Sequence, residues 1–539
     1  MSSVNPQEIP LPMAGGNTFG RYNKISDSQT WNMIVSDGAL VDYAGYQNVF
    51  PSPLVANGVG RGIYSSNNGQ IMIAVIGSAV YSIATDLVAT PVPNGVLQTS
   101  VGDVFISENN ASEIAITDSS FLYVYNYANN TFEQSIYSNV SPLPTPAPVG
   151  FFYVPFVSPG YVSFQLGRLI IADTSSQNWY LSGINAATQW DIKDVNNQAY
   201  FGALDLKPDK AQAALPFPGS GNSLVLFGRT VMESWQNVGN AIFPYQRAST
   251  FNVDYGVLNA SSIAALDSYI VWLSANEQGG ATLMIIKGSG AREEPISTDG
   301  IDFKLANISD PTNCTGFLMR QDGHLLYQFT FPTDNLSYVY DFNTKLFFTV
   351  SDENQNYHIA RNTVFFNNDY YFVSLNDGNL YTFGTQFTNL QYSATNIQQM
   401  PRFRICPPIR LPSQRMFICK SVAFTIENGQ PNVQKQAEAD VFLVTQDGNF
   451  LITQNNNFLV GAETQTVYGE GTECIDLRVS RDGGETFSSA LRYQMNPTGK
   501  RKSRLIFQRL GQQNDLTILI QFIGYGRFVA FDGIVEAYS

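Results

Sequence analysis

The chain has 539 residues, a formal net charge of −14 and a pI near 4.6, and only 14% of its residues are charged. This length predicts two or more domains, or one large closed array of sheets. The acidic balance excludes a protein that grips nucleic acid by neutralising phosphates, but it permits DNA to slide past without sticking. The composition is rich in aromatic and amide side chains, which suits a rigid particle component whose surface is covered by other subunits. The same composition is also compatible with an ordinary secreted or extracellular β-protein.

The four cysteines indicate neither a metal site nor a redox site, because no two have CxxC spacing. We expect buried free thiols, although Cys406 and Cys419 on neighbouring strands would permit a disulfide. The first residues lack the layout of a signal peptide, and no apolar run approaches the length of about 20 residues that spans a membrane. We therefore predict no membrane span and folding in a reducing cytoplasm.

Residues 1–55 show little continuous periodicity and contain several backbone breakers, including Pro10, Pro12, Pro51 and Pro53. This pattern predicts an extended N-terminal arm that wraps the main body.

Residues 56–390 repeat one unit: a short β-rich run, a two-residue turn and a strand that opens on an apolar residue. The turns are Asp322-Gly323 and Asp377-Gly378, with a relative at Gly77-Ser78, and Asp447-Gly448 repeats the unit further on. Such turns need left-handed backbone, which Gly, Asn and Asp adopt most easily. Hairpins at intervals of roughly 40–55 residues predict a β-propeller of about six blades.

Two insertions interrupt this pattern. The prolines of 141–148 predict a stiff, extended spacer, and the aromatic run at 151–156 needs burial inside a blade or under a neighbouring subunit.

A different β-rich region follows a boundary that we place between residues 385 and 402. Residues 391–539 contain seven predicted strands with hairpin turns, which is typical of a β-sandwich. The predicted fold class is thus all-β, with an N-terminal arm, a propeller and a C-terminal sandwich-like domain.

The search for catalytic groups yields no site. Residues 480–487 fit the Asp-box pattern Ser-x-Asp-x-Gly-x-Thr-aromatic, which ties hairpin turns together in sialidase-type propellers and is structural even in enzymes. Two pairs of adjacent acids occur, Glu293-Glu294 and Asp352-Glu353. Adjacent residues of a strand point to opposite faces, so the two carboxylates of a pair cannot act together as acid and base. We interpret them as solvated charges in loops. His324 and His358 have no third imidazole or clear carboxylate partner for a metal or triad role. We therefore predict no catalytic, metal or cofactor-binding residues and no enzyme activity.

The basic residues concentrate near the C-terminus, at Lys500, Arg501, Lys502 and Arg504. A looser group comprises Arg402, Arg404, Arg410 and Arg415. A basic turn of this kind is either a solvated hairpin or a docking element for an acidic subunit face or for DNA phosphates in a lumen.

The N-terminal motifs add a family resemblance. Ile9-Pro10-Leu11-Pro12-Met13, Trp31-Asn32-Met33, Gly45-Tyr46 to Phe50-Pro51 and Gly60-Arg61-Gly62 resemble, in order and spacing, the opening of the packaged-DNA stabilisation proteins of short-tailed bacteriophages. A weaker similarity continues to the final strands. The resemblance implies a non-enzymatic tail hub or nozzle protein, made in the host cytoplasm, that forms a ring of about six copies below the portal. Such a ring retains packaged DNA until ejection.

The implied partners are sister copies, the portal adaptor, tail needle, fibre or spike proteins, and genomic double-stranded DNA passing through the lumen without sequence-specific contacts. Trp31 and Tyr46 in the arm are predicted to contact another subunit or the adaptor. Two alternatives stay open: a sialidase-like propeller enzyme, and a phage receptor-binding protein whose exposed aromatic residues stack on sugars.

Overall fold

The computed structural model describes residues 7–20, 27–191, 201–217, 219, 221–240, 243–266, 268–275, 281–287, 294–411, 415–428, 441–442, 460–461, 473–495 and 502–538. Two units divide the chain. The large unit comprises Gly16–Gln29 and Gln47–Gly384, and the terminal unit comprises Met1–Gly15, Thr30–Tyr46 and Thr385–Ser539. Two short strands, Gln29–Trp31 and Gly45–Asn48, lie where the chain passes between the units.

The described residues of the large unit form six sheets of four or five strands and a seventh sheet of three strands. Neighbouring strands are antiparallel, except that the last strand of sheet 2 runs parallel to the one before it. The strands are: sheet 1, Gly60–Ser65, Ile71–Ile76, Ala79–Ala84 and Ala89–Val96; sheet 2, Phe105–Glu108, Glu113–Thr117, Leu122–Asn126, Thr131–Tyr137 and Phe151–Val154; sheet 3, Pro159–Gln165, Arg168–Asp173, Asn178–Leu181 and Phe201–Ala203; sheet 4, Ala213–Pro216, Ser223–Phe227, Met232–Asn237 and Tyr245–Val253; sheet 5, Gly256–Val257, Ala264–Leu266, Tyr269–Ala275, Ala281–Lys287 and Glu294–Pro295; sheet 6, Thr315–Gln321, His324–Phe331, Leu336–Asp341 and Leu346–Thr349; sheet 7, Ala360–Phe366, Asp369–Ser374 and Leu380–Gly384.

Each sheet packs between two neighbours, and the strand Ile71–Ile76 of sheet 1 shows how. Side chains alternate between the two faces of a strand. Ile73 and Val75 pack against sheet 2, whereas Met72 and Ala74 pack against sheet 7. Because both faces are buried, the strand reads as a continuous apolar run. Contact of sheet 7 with sheet 1 closes the sheets into a ring.

The turns between strands follow the predicted backbone chemistry in part. Asp322 and Gly323 adopt φ values of 48° and 85°, and Gly77 adopts 56°, as a left-handed turn requires. Gly378 has a different reason, because a Cβ there would lie 2.0 Å from the carbonyl oxygen of Val55. Glycine is required at this position because another backbone segment comes too close for a side chain. The turn at Asp447-Gly448 lies outside the described residues.

Helical structure is minor. The helix Asp299–Ala306 and two 3-10 turns, Ala260–Ser262 and Pro332–Asp334, join the strands. Thr298 caps the helix by accepting a hydrogen bond from the Ile301 amide (3.4 Å). Nowhere in the described ranges does a helix reach the length and apolar character needed to cross a membrane. The prediction of an all-β chain built on a β-propeller is confirmed, and the seven sheets of the ring lie within one of the predicted count of about six blades.

The aromatic run at 151–156 is buried on alternate residues. Phe152, Val154 and Phe156 are enclosed, whereas Phe151 remains 39% exposed. Residues Phe151–Val154 pair with Thr131–Tyr137 and form the outer strand of sheet 2. The predicted burial inside a blade therefore holds for every second side chain of the run.

The terminal unit contains two main sheets. One consists of Gln7–Leu11, Met33–Ser36, Ala39–Asp42, Phe417–Asn428, Lys502–Gln513, Phe528–Ala530 and Gly533–Tyr538. The second joins Arg402–Ile405, Cys474–Ser480, Leu491–Gln494 and Thr517–Ile523. Two small hairpins pair Asn389–Gln391 with Ile397–Gln399 and Val441–Phe442 with Val460–Gly461. Aromatic contacts such as Phe522–Phe528 (5.7 Å between ring centroids) pack the main sheets together.

The N-terminal segment differs from the extended arm that the sequence predicts. Its described residues form strands: Gln7–Leu11 pairs with the final strand of the chain, and Met33–Ser36 pairs with Ala39–Asp42. These strands have only four or five residues, and the partner of Gln7–Leu11 lies at the far end of the sequence. Neither property leaves a local pattern that sequence reasoning can read.

A buried ion pair joins the two main sheets of the terminal unit. Arg402 donates from Nη1 to Asp42 Oδ2 (2.8 Å) and to the Gly526 carbonyl (2.8 Å), and from Nη2 to the Gly524 carbonyl. The amide of Phe528 also donates to Asp42 Oδ2 (2.9 Å), and the Arg402 guanidinium lies 4.7 Å from the Phe528 ring centroid. Arg402 is fully buried, so each charge depends on the other for compensation.

We expect Arg402→Met to lower the free energy of unfolding by about 3–5 kcal/mol, because Asp42 would keep a buried charge without its partner. Arg410→Gln serves as the control, since Arg410 pairs with Asp515 at the surface and such pairs contribute less than about 1 kcal/mol. Urea unfolding followed by circular dichroism measures both. Equal decreases in the free energy of unfolding of the two variants would show that the buried ion pair stabilises the protein no more than the surface pair does.

Candidate functional site on the propeller axis

The innermost strands of the large unit line an open cavity of about 370 Å³ on the axis of the ring. Residues from sheets 1, 2, 3, 5, 6 and 7 line it, together with the segment between the first two strands of sheet 5. The lining residues are Arg61, Ile63, Tyr64, Val104, Phe105, Ile106, Tyr161, Ala260, Ser261, Ile263, Ala264, Ala265, Leu266, Gly316, Phe317, Leu318, Asn362, Thr363, Val364, Phe365 and Tyr370. The wall combines apolar side chains with a few polar groups, which is the usual character of a ligand pocket.

Arg61 is fully buried at this wall and organises the chain between sheets 1 and 2. Its Nε donates to the Gly102 carbonyl (2.9 Å), and Nη1 donates to the carbonyls of Gly77 (3.0 Å) and Thr99 (2.7 Å). Nη2 donates to the Thr99 hydroxyl (2.9 Å) and the Val101 carbonyl (2.7 Å). All five donors of the guanidinium are therefore used. Burial lowers the pKa of Arg61 from its ordinary value, but an arginine stays charged.

Asp103 connects parts of the ring that are not neighbours in sequence. Its carboxylate forms an ion pair with Arg361 of sheet 7 and accepts a hydrogen bond from the side-chain amide of Asn259 (3.3 Å), which lies between the first two strands of sheet 5. Asn259 also donates to the Thr312 carbonyl (2.8 Å) ahead of sheet 6. This polar network ties the segment between sheets 1 and 2 to three other parts of the ring.

Sequence reasoning missed these residues as a functional group. Arg61 enters only through the Gly60-Arg61-Gly62 motif of the family resemblance, and Asp103, Asn259 and Arg361 carry no motif. They meet only because the ring closes, which is a consequence of the whole fold.

The Asp-box of the terminal unit ties its own turn together, as predicted. Ser480 donates to Asp482 (2.5 Å) and accepts from the Gly484 amide (2.8 Å), while the Thr486 amide donates to Asp482 (3.0 Å). These bonds, that from the Ser480 hydroxyl first, lower the pKa of the Asp482 carboxyl. A carboxylate held in this way stabilises a turn and is poorly placed to move protons.

The other acids also have structural partners. Asp352 accepts from the amides of Asn354 (2.9 Å) and Asn356 (2.8 Å), and burial raises its pKa. Glu294 forms an exposed ion pair with Lys287 (3.3 Å), and Glu293 lies outside the described residues.

The two histidines occupy separate structural positions. His324 Nδ1 lies 2.9 Å from Asp341, and the same carboxylate accepts from the Asn343 amide and the Thr344 hydroxyl. His358 is buried, and its Nδ1 accepts from the Ala360 amide (3.2 Å). Across the ranges that the structure describes, no group of three His, Cys, Asp or Glu residues is placed to hold a metal ion.

All four cysteines are free and buried, which confirms the prediction of unpaired thiols. Burial raises the pKa of Cys406 to about 11 and of Cys419 to about 12. These thiols are therefore protonated at neutral pH and poor nucleophiles.

The predicted interface residues fall into different environments of the terminal unit. Trp31 is half-buried and stacks on Phe403 with centroids 5.0 Å apart. Tyr46 is fully buried, and its hydroxyl lies 2.7 Å from that of Tyr392. Tyr46 is thus internal in this chain, where the sequence predicts a contact with another subunit.

The basic residues divide in the same way. Lys502 and Arg504 are exposed at the start of strand Lys502–Gln513, and Lys502 lies 3.7 Å from Glu427. Lys500 and Arg501 lie outside the described residues. In the looser group, Arg402 and Arg404 are buried, Arg410 pairs with Asp515, and Arg415 is exposed. The looser group is therefore not a single basic surface.

Comparison with known proteins gives one family match. A family model described as Bacteriophage P22 Gp10, beta-propeller, matches residues 11–388. No curated protein matches the sequence.

Similar solved structures include a catalytically inactive virginiamycin B lyase from Staphylococcus aureus with quinupristin, at 11% identity and a TM-score of 0.40, covering 63% of this chain and 98% of that one. Another is U3-55K, at 8% identity and a TM-score of 0.36, covering 60% and 95%.

We expect Arg61→Lys to lower the free energy of unfolding by about 2–4 kcal/mol, because an ammonium group has too few donors for the five acceptors around Arg61. Arg229→Lys at an exposed position of the same unit is the matched control and should change stability by less than about 0.5 kcal/mol. Thermal and urea unfolding measure the difference. An R61K protein as stable as R229K would show that the hydrogen bonds of Arg61 are dispensable.

Acid should destabilise the large unit through His358. Burial lowers the pKa of this imidazole to about 3, whereas an unfolded histidine titrates near about 6.5. Within that window only the unfolded chain binds the proton, so the stability present above the unfolded pKa falls by about 1.4 kcal/mol per pH unit on acidification. We expect urea unfolding at a series of pH values to show a steeper loss for wild type than for His358→Gln. Parallel profiles would contradict this assignment.

Proposed function

Because the chain belongs to the phage stabilisation family described as Bacteriophage P22 Gp10, beta-propeller, we propose that it is a structural protein of a short-tailed phage particle. In this role it forms a ring below the portal adaptor, extends and seals the DNA channel, and retains packaged DNA until ejection. The observation that carries the proposal is the family match over residues 11–388, which contain every sheet of the large unit.

The size of the axial cavity supports a particular path for DNA. A DNA duplex is wider than its major groove, which is itself about 12 Å across. The axial cavity, at about 370 Å³, has the volume of a small-molecule site and cannot admit such a duplex. The lumen of the proposed particle therefore lies between copies of the chain, and each propeller acts as a solid wall segment. The net charge of −14 suits a wall along which phosphates slide.

Ring formation sets a requirement on the subunit surface. A closed ring uses heterologous contacts, in which one face of a copy meets a different face of the next. The exposed Lys502 and Arg504 supply positive charge on a chain that is acidic overall, so we assign them to an acidic face of a sister copy or of the portal adaptor. Trp31 is assigned to the same contacts, and tail needle, fibre or spike proteins are the further partners.

The geometry favours this role over the sialidase-like alternative. A glycosidase of this kind needs two carboxyl groups flanking the scissile bond, or a tyrosine nucleophile with an acidic partner. No carboxylate is found among the lining residues that the structure describes, and Asp482 and Asp352 hold their own turns.

We expect the double variant Lys502→Glu, Arg504→Glu to weaken association at least about tenfold, which corresponds to about 1.4 kcal/mol. Charge reversal would set like charges against each other where the proposed contact needs opposite ones. Lys287→Glu, at an exposed position on sheet 5, is the control and should associate normally. Light scattering at several protein concentrations measures association, and equal behaviour of the two variants would remove this surface from the proposed contact.

The ring itself is tested with the unmodified protein. We expect purified protein, alone or mixed with a portal–adaptor complex, to migrate as a ring-sized assembly in size-exclusion chromatography with light scattering. A protein that stays monomeric under both conditions would refute the proposed role.

A further inference from the structure

The axial cavity contains polar groups that the chain itself does not use. Within the part of the chain that the structure describes, the hydroxyls of Tyr161 and Ser261 and the amide of Asn362 line the cavity and form no side-chain hydrogen bond with the protein. The pKa of Tyr161 is raised to about 12 by burial alone. All three residues are half-buried on one cavity wall, so their polar groups face the cavity and are available to a hydrogen-bonding ligand.

Aromatic rings form much of the remaining wall. Phe105 and Tyr161 lie 4.9 Å apart between centroids, and Phe365 and Tyr370 lie 5.1 Å apart. Phe365 is 57% exposed although it is a large apolar side chain. An exposed aromatic ring beside a cavity offers a flat surface on which a ligand ring can stack.

Charge decides the class of ligand. Among the described residues that line the cavity, Arg61 is the only charged one, and its five donors are taken by the protein. The groups left for a ligand are neutral donors and acceptors together with aromatic faces. This combination disfavours phosphate or carboxylate ligands, because Arg61 has no donor left to bind them, and it disfavours ammonium ligands, because no carboxylate is among the described lining residues.

We propose that the axial cavity binds a neutral saccharide of one or two rings. Such a ligand has hydroxyls for Tyr161, Ser261 and Asn362 and apolar ring faces for Phe105 and Phe365. The volume lies at the lower end of the range of about 300–1,000 Å³ for small-molecule sites, which suits one or two rings and excludes a long chain. The site is independent of the proposed structural role and needs no second copy.

The probes are glucose, N-acetylglucosamine and maltose, each titrated into the full-length protein and followed by saturation-transfer NMR. We expect saturable binding of at least one probe in the millimolar range. Tyr161→Phe removes only the hydroxyl, and Asn362→Ala removes the amide, so each should weaken binding about five- to tenfold. Tyr81→Phe is the matched control, because the Tyr81 hydroxyl donates to the Leu54 carbonyl (2.9 Å) away from the cavity, and its binding should equal that of wild type.

Three results would overturn the proposal. They are the absence of saturable binding by every probe, equal binding by Y161F, N362A and Y81F, and stronger competition by inorganic phosphate than by any sugar. Circular dichroism of each variant verifies folding, and a variant that fails to fold is replaced by Ser261→Ala, which removes a single hydroxyl from the wall. Ring assembly is measured separately, so loss of sugar binding does not bear on the structural role.

Discussion

The large unit depends on one constraint, which is that its sheets are apolar on both faces. A sheet with two apolar faces is stable only when each face is covered. In sheet 1, Ile73 and Val75 reach sheet 2 while Met72 and Ala74 reach sheet 7. In sheet 3, Leu169 and Ile171 pack towards sheet 2, and Ile170 and Ala172 pack towards sheet 4. An open row of such sheets would expose an apolar face at each end, so the ring closes.

Closure also brings together charged groups that no local segment contains. Asp103 meets Arg361 and Asn259 only when the first and last sheets are neighbours. Arg61 reinforces the same region by holding the chain between sheets 1 and 2 with bonds to main-chain carbonyls. The contact between Asp103 and Arg361 acts together with the apolar packing, because it forms only in the closed ring.

Much of the fold could be predicted from the sequence, since its signals are local. Continuous apolar runs such as Ile71–Ile76 and turns such as Asp322-Gly323 identify strands and hairpins over most of the chain. The N-terminal segment could not be predicted, because Gln7–Leu11 pairs with residues more than five hundred positions away. The axial site could not be predicted either, because its residues are distant from one another in the sequence. Arg61, Tyr161 and Asn362 belong to different sheets, and only the three-dimensional ring places them around one cavity.

The pairing of Gln7–Leu11 with Gly533–Tyr538 has a consequence for biosynthesis. The first strand leaves the ribosome long before its partner, because more than five hundred residues separate the two. The early segment must wait without its neighbour while the sheets of the large unit form in order along the nascent chain. A product that stops short of Gly533 would leave the edge of Gln7–Leu11 without the strand beside it, and an open strand edge promotes aggregation. The sheet is therefore completed only after translation has passed Gly533–Tyr538.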